Sequence, residues 1–546
     1  MKSLLILILL FCLTGHTAPY RGHHMLVTTP TQFSAQLAQE IMEKKGNVVD
    51  VAVATSLILA VTNPRHAALG GGGFAIVKMG KNPVKALDFR ETAPKKTHPR
   101  FYIEKDKEAS RTGPNAIGIP GIPAGLWALH KKYGKLHWSQ LFDLPIRLAT
   151  RGYRITGENA DRALRARKSF NEAGKKYFLG PKGIPFKAGD WVRHKQLGKA
   201  LKLMRNRGVV PFYEGDIARD IVETIQSAGG VMTREDLKNY KVRWLNPLVS
   251  EYRGHKLYLM PPPSSGGLVI ASSLKMLEKL KSHEMEPMST EELHTLGEVM
   301  KINFRNRNLI GDPDFVKNPT DEFLSDKKIN EWTQKIKKDR PLVIAPVKSS
   351  LPAESNQTTH FSVMDSKGNA IAVTITLNGV FGSKIVSNKY GIALNNEMND
   401  FNIRPGEPNH WGLIQGDANW VRPGARPLSS MSPTLVEKNG KIVMSLGAPG
   451  GPRIISGVLQ SLYRVLANDY NMEEAIHAGR VHHQFRPETL FVDYKKFPSL
   501  SIKALEKIGH EVKPSWQSRV NGIRLNDKGE LEAGFDYRAE GGAAGY

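Results

Sequence analysis

Between Asn47 and Pro64 the chain carries a segment with helix signals at both ends and no polar face. Asn47 is a side chain that caps a helix start, and Pro64 stops one. Inside, Val48, Val49, Val51, Ala52, Val53, Ala54, Leu57, Ile58, Leu59, Ala60 and Val61 cover the whole circumference rather than one stripe. A helix that is apolar all round has to be covered on every side, so it belongs inside a layered α/β body. A helix over 36–45, closed by Gly46 as its C-terminal cap, leads into it.

The rest of the pattern agrees with layers. Gly70 to Gly73 reads as a tight turn, followed by strands over 74–77 and 84–89 and then by Arg90. From about 125 to 340 the chain reads as helices with turns, interrupted by PPPSSGG at 261–267. The character changes at Thr359, where short alternating strands begin: 360–364 and 370–377, then 434–437 and 441–446. The last pair leads through glycines 447–451 into a helix over 453–467. No repeat and no flexible linker divides the chain, so one interwoven domain is expected.

Of 546 residues 40% are hydrophobic, which is globular material with a sizeable core. Lys2, the apolar run 4–13 and small residues up to Ala18 have the layout of a secretory signal peptide over 1–18. The run is too short to span a bilayer, so a secreted or periplasmic protein without a stable membrane anchor is expected. Cys12 is the only cysteine and lies in that signal, so a mature chain has no disulfide, thiol nucleophile or Cys-held metal. The net charge of +25 is uneven: residues 147–207 hold 17 Lys or Arg against four acids, with Arg162, Arg165, Arg167 and Lys168 close together. No recognition motif accompanies them, so a solvated surface is read and no nucleic-acid partner is expected.

Common catalytic signatures are missing. There is no G-x-S-x-G elbow, and the glycines at 70–73 lack the Lys-Ser/Thr of a phosphate loop. His482 and His483 are adjacent, and on a strand they would point to opposite faces, so no metal site or cofactor is expected. The stretch ESNQTTHFS at 354–362 opens the strand-rich part. A threonine hydroxyl is a poor nucleophile unless a base takes its proton, and a free α-amino group with a pKa near ~8 can do so from the same residue. A mid-chain threonine has no such amine until the preceding peptide bond is cut. Taken alone, Thr358 and Thr359 also pass as strand residues, and 356–358 passes as a glycosylation sequon.

Many separate segments decide between these readings. ESNQTTHFSV (354–363), AVTITLNGVFG (372–382), LNNEMNDF (394–401), RPLSSMSPT (426–434) and GAPGGPRI (447–454) resemble the γ-glutamyltransferase family, bacterial type, in order and spacing. GNVVDVAVA (46–54), LGGGGF (69–74), LDFRETAP (87–94), PPPSSGG (261–267) and GDPDFV (311–316) are similar too, so the resemblance runs through the whole mature chain. It implies an α+β fold, the four-layer αββα sandwich of N-terminal-nucleophile hydrolases. It also implies self-cleavage at Gln357–Thr358 into a large subunit, 19–357, and a small one, 358–546, that stay together as a heterodimer.

By the same resemblance Thr358 is the nucleophile, Thr376 the supporting hydroxyl, and Gly450 and Gly451 the oxyanion hole. Arg90, Ser429 and Ser430 match contacts to the donor carboxylate; Asn378, Glu397 and Asp400 match those around its ammonium. Trp411 takes the gate position of a lid over 405–416, where Tyr is more usual. The implied reaction transfers the γ-glutamyl group of glutathione and related compounds to water or to amino acid or dipeptide acceptors through a threonyl ester. The alternatives are a glutaryl- or cephalosporin-type acylase of the same superfamily, which needs no ammonium site, and a non-catalytic basic binding homologue. The basic stretch 147–207 departs from the family's usual charge balance.

Overall fold

The cap at Asn47 forms as its sequence predicts. Its Oδ1 accepts the N–H groups of Val49 at 2.9 Å and Asp50 at 3.0 Å, and Asp50 Oδ2 accepts the Asn47 N–H at 3.0 Å. These reciprocal bonds satisfy donors that a helix start leaves open. Every residue of the helix Val48–Thr62 is buried. The preceding helix, Gln32–Glu43, starts earlier than expected because Thr31 caps it, its hydroxyl accepting the Ser34 N–H. It ends through Lys45 in the left-handed region (φ 61°), with Gly46 N–H donating to Ile41 O, so Gly46 is not itself the left-handed cap.

The computed structural model describes residues 19–180, 183–344, 357–493, 496–538 and 540–546. The predicted signal segment 1–18 and residues 354–356 lie outside the described residues. Two antiparallel seven-stranded sheets lie face to face between helices. The first runs Gly542–Gly545, Met25–Thr29, Thr359–Asp365, Ala370–Thr376, Gly72–Lys78, Lys85–Phe89 and Arg243–Leu245 in spatial order. The second runs Tyr20–Gly22, Leu531–Phe535, Asn521–Leu525, Lys441–Gly447, Thr434–Lys438, His255–Leu259 and Leu248–Tyr252. Each sheet mixes strands from before and after Gln357.

Strand periodicity assigns the faces. Phe361, Val363, Ile371, Val373 and Ile375 pack with the helix Val48–Thr62. Met364, Ala370 and Ala372 point the other way, into a second core with Leu435, Met444 and Leu446 of the facing sheet. Helices Gly266–Lys279, Thr290–Asn306 and Arg453–Asn468 cover the outer side of that sheet. The layers are therefore helix, sheet, sheet, helix, as expected for an αββα sandwich.

Two expectations need correction. The middle of the chain is not all helix and turn: Leu248–Tyr252 and His255–Leu259 form a hairpin whose turn places Arg253 (φ 47°) and Gly254 (φ 72°) in the left-handed region. Gly254 is a usual residue of such a turn, but arginine is unusual before it, so the signal is only half present. The glycines at 70–73 are not a tight turn either. Gly72 and Gly73 start a strand paired with Thr376 and Ile375. A Cβ on Gly71 would lie 2.0 Å from the Thr376 carbonyl oxygen, and one on Gly73 2.3 Å from that of Thr374. Their missing side chains let backbone approach backbone beside Thr376. The basic stretch is a helical surface on which Arg165, Arg167 and Lys168 are exposed.

Candidate active site

Thr358 sits immediately before the strand Thr359–Asp365, buried at the mouth of the first sheet. Its φ of 98° is a left-handed conformation that a β-branched residue adopts only under constraint, at a cost of ~1–3 kcal/mol. Pairing of Thr359 with Ile375 brings Thr376 alongside, and the two threonine hydroxyl oxygens are 3.1 Å apart. Thr376 Oγ1 also accepts the Asn378 N–H at 2.8 Å, which fixes its orientation. On the other side, Gly450 N–H donates to the Gln357 carbonyl at 3.1 Å. Gly450 (φ 125°) and Gly451 (φ 56°) form the turn between the strand Lys441–Gly447 and the helix Arg453–Asn468. The turn needs glycine twice over, because a Cβ on Gly451 would lie 2.4 Å from the Trp411 ring.

One cavity collects most of the residues singled out by sequence. Arg90, Thr358, Thr376, Asn378, Glu397, Asp400, Trp411, Ser429, Ser430 and Gly451 line it; Gly450 and Gln357 do not, but they adjoin Gly451 and Thr358 in the chain and share a hydrogen bond. The internal pairing differs from the expected division into carboxylate and ammonium contacts. Arg90 Nη1 is ion-paired with Glu397 and Nη2 lies 2.7 Å from Asp400 Oδ2, while Nε donates to Pro427 O. No hydrogen bond joins Arg90 to Ser429 or Ser430 among the described residues. Asn378 Oδ1 is occupied as well, accepting the Trp411 indole N–H at 2.8 Å. Trp411 thus lies across the pocket, on Gly451 and Asn378 together.

The electrostatics follow from burial. Burial disfavours a charged Arg90, but Glu397 and Asp400 outweigh it and raise its pKa. Burial raises Glu397 well above the usual carboxylate range against the pull of Arg90, and raises Glu91 to about 8. Burial thus favours the neutral form of both carboxyls, and Arg90 opposes it.

Sequence reasoning did not single out Glu91, His360 or Arg307. Glu91 and His360 lay inside quoted motifs, and His360 shares a strand face with Thr358 by two-residue periodicity. Its ring bonds Thr374 Oγ1 at 2.9 Å and Ser362 Oγ at 3.1 Å, and burial pushes its pKa down to about 3, so it is a neutral spacer between the sheets. Arg307, on a short turn after the helix Thr290–Asn306, lines the cavity with no motif to mark it. A buried group of His294, Glu298 and His510 has metal-ligand character, but the two rings are hydrogen-bonded at 2.7 Å and Glu298 is paired with Lys301 at 2.9 Å. None of these three lines the cavity. His482 bonds Ser456 and His483 accepts the Phe485 N–H.

The profile of the γ-glutamyltranspeptidase family matches residues 34–546. The chain belongs to the γ-glutamyltranspeptidase family. It is 38% identical over 532 residues to the glutathione hydrolase proenzyme of Escherichia coli (strain K12), covering 95% of this chain and 91% of that relative. To the glutathione hydrolase proenzyme of Pseudomonas sp. (strain A14) it is 37% identical over 502 residues, covering 90% and 87%. The solved Helicobacter pylori γ-glutamyltranspeptidase superposes with a TM-score of 0.55 at 34% identity, over 57% of this chain and 91% of that one. A cephalosporin acylase from Bacillus halodurans superposes over 100% of this chain and 99% of its own, with a TM-score of 0.85 at 22% identity, a likeness of fold alone. This γ-glutamyltranspeptidase family member therefore has the N-terminal-nucleophile hydrolase fold and is an enzyme of that type.

Proposed function

We propose that this γ-glutamyltranspeptidase family member cuts its own chain at Gln357–Thr358 and then uses Thr358 to move γ-glutamyl groups from glutathione and related amides to water, amino acids or dipeptides. The observation that carries this reading is the Gly450 N–H on the Gln357 carbonyl, beside a strained Thr358. In the first step Thr358 Oγ1 adds to the Gln357 carbonyl carbon, and Gly450 N–H faces the developing oxyanion. Collapse breaks the C–N bond, the nitrogen takes the hydroxyl proton and becomes the Thr358 α-amine, and an ester remains. Water hydrolyses it to the Gln357 carboxylate and the free hydroxyl. Release of the left-handed φ lowers the energy of the products.

In the mature enzyme the α-amine, with a pKa near ~8, takes the Thr358 hydroxyl proton as Oγ1 attacks the donor's γ-amide carbon. Thr376 orients the nucleophile, and Gly450 and Gly451 N–H groups serve the oxyanion. The amine leaves with the proton, and water or an acceptor amine resolves the γ-glutamyl ester. A zwitterionic donor suits a pocket that holds Arg90 against Glu397 and Asp400: its ammonium replaces the guanidinium beside the acids, and its carboxylate meets Arg90, Ser429 and Ser430. A glutaryl acylase has no use for those acids. The two fragments stay joined as a heterodimer, and the segment 1–18 directs export. Among the described residues no helix is long and apolar enough to cross a membrane.

The test is N-terminal sequencing of the small fragment together with two donors. Two bands, a small fragment starting at Thr358, one inactive chain from Thr358→Ala, and turnover of γ-glutamyl-p-nitroanilide but not of glutaryl-p-nitroanilide are expected. Full activity of Thr358→Ala would overturn the mechanism.

A further inference from the structure

The two arginines in the cavity differ in what neutralises them. Arg90 is held by two acids. Arg307 is buried to a similar degree, yet its guanidinium meets only neutral groups: Nε donates to Ser265 Oγ at 2.9 Å and Nη1 to Gln415 Oε1 at 3.0 Å. Among the described residues no carboxylate lies within ion-pair distance of it, and its Nη2 has no acceptor. A buried cation without a counter-charge is costly, so its retention needs a reason. Its position supplies one. Ser265 Oγ, which accepts from Arg307, donates to Ser429 O at 2.7 Å, so the guanidinium is tied to the turn that carries Ser429 and Ser430.

We propose that Arg307 is a second carboxylate-binding cation of the donor pocket and selects donors with a free α-carboxylate. The inference rests on the γ-glutamyl reading above. The neutral ties at Nε and Nη1 orient the fork without pairing it to a carboxylate, and a guanidinium fork matches a carboxylate geometrically. The Arg90 charge is balanced internally by Glu397 and Asp400, whereas Arg307 has no carboxylate at ion-pair distance among the described residues and offers its guanidinium to an anion. Burial lowers the Arg307 pKa to about 10, with Asp400 acting against that, so the group stays charged at neutral pH.

The experiment compares γ-glutamyl-p-nitroanilide with its α-carboxamide counterpart in the wild type, Arg307→Met and Arg307→Lys. In the wild type the carboxylate donor has the higher kcat/KM. Arg307→Met is expected to raise its KM by at least tenfold with kcat within about threefold, and to leave the carboxamide donor unchanged, so the discrimination ratio falls at least tenfold. Arg307→Lys, which keeps charge but loses the fork, is expected to fall between. Equal losses on both donors, or an unchanged ratio, would overturn the role. If Arg307→Met shows no cooperative thermal transition, the decision passes to Arg307→Lys, where a ratio within threefold of wild type refutes it. A wild type inactive on both donors overturns the γ-glutamyl reading itself, a result distinct from loss of discrimination.

Discussion

Replacing Gly71 by alanine tests how the sheet sets the geometry of the proposed catalytic pair, using one added methyl group. Gly71 does not lie in the left-handed region, so alanine can adopt its backbone conformation, and the perturbation is steric. The new Cβ would start 2.0 Å from the Thr376 carbonyl oxygen, so about 1 Å of movement is needed to bring the contact even to 3.0 Å. The obstacle is backbone rather than the end of a flexible side chain, and the neighbouring strand is fixed by its ladder. Overpacking of this kind costs ~1–3 kcal/mol of stability, which a domain of this size survives. A shift of ~1 Å in a catalytic group costs ~10²-fold in rate. The expected outcome is a folded Gly71→Ala protein that cleaves itself slowly and whose cleaved fraction turns over about 10²-fold more slowly than wild type. Precursor loss on a denaturing gel and turnover normalised to small fragment measure the two effects. Wild-type rates for both would refute the claim that this glycine places Thr376.

Thr376→Val keeps shape but removes the 3.1 Å contact to Thr358 and the acceptor for the Asn378 N–H. A kcat loss of ~10²-fold with KM nearly unchanged is expected in steady-state assays, and a loss under threefold contradicts an orienting role. Glu91, raised from 4.5 to about 8, binds more protons folded than unfolded between those values. Its contribution to stability is therefore complete below about pH 4.5 and is lost as pH rises through about 8. Urea midpoints of the uncleaved Thr358→Ala chain at pH 5 and 8.5 should converge when Glu91→Gln is added; an undiminished pH difference excludes Glu91 as its source.

The layered fold was legible because its signals are local. A helix without a polar face needs cover on both sides, and strands with two-residue alternation after Thr359 supply the sheets. The proposed catalytic set could be read only through whole motifs, since Thr358 alone looks like any strand residue. What escaped depends on contacts between distant segments. The glycines at 70–73 look like a turn until the Thr376 strand lies against them. The hairpin turn has the usual Gly254 but carries Arg253 where Asn, Asp or Gly is common. The pairing of Arg90 with Glu397 and Asp400 is visible only once some 300 residues of chain are folded back. Arg307 belongs to no motif, and only the folded cavity shows that its hydrogen-bond partners are neutral.

The strand order of the first sheet has a kinetic consequence. Thr359–Asp365 is flanked by Met25–Thr29 on one side and Ala370–Thr376 on the other, so the break proposed at Gln357 would leave every ladder hydrogen bond in place. It would, however, turn the pairing of Thr359–Asp365 with Met25–Thr29 from a closure within one molecule into an encounter between two. The instructions for assembly would then be usable once: an unfolded precursor returns by a first-order path, whereas unfolded mature enzyme has to find its partner, with a yield that falls on dilution. Longevity in the mature state would come from slow unfolding rather than from ready refolding.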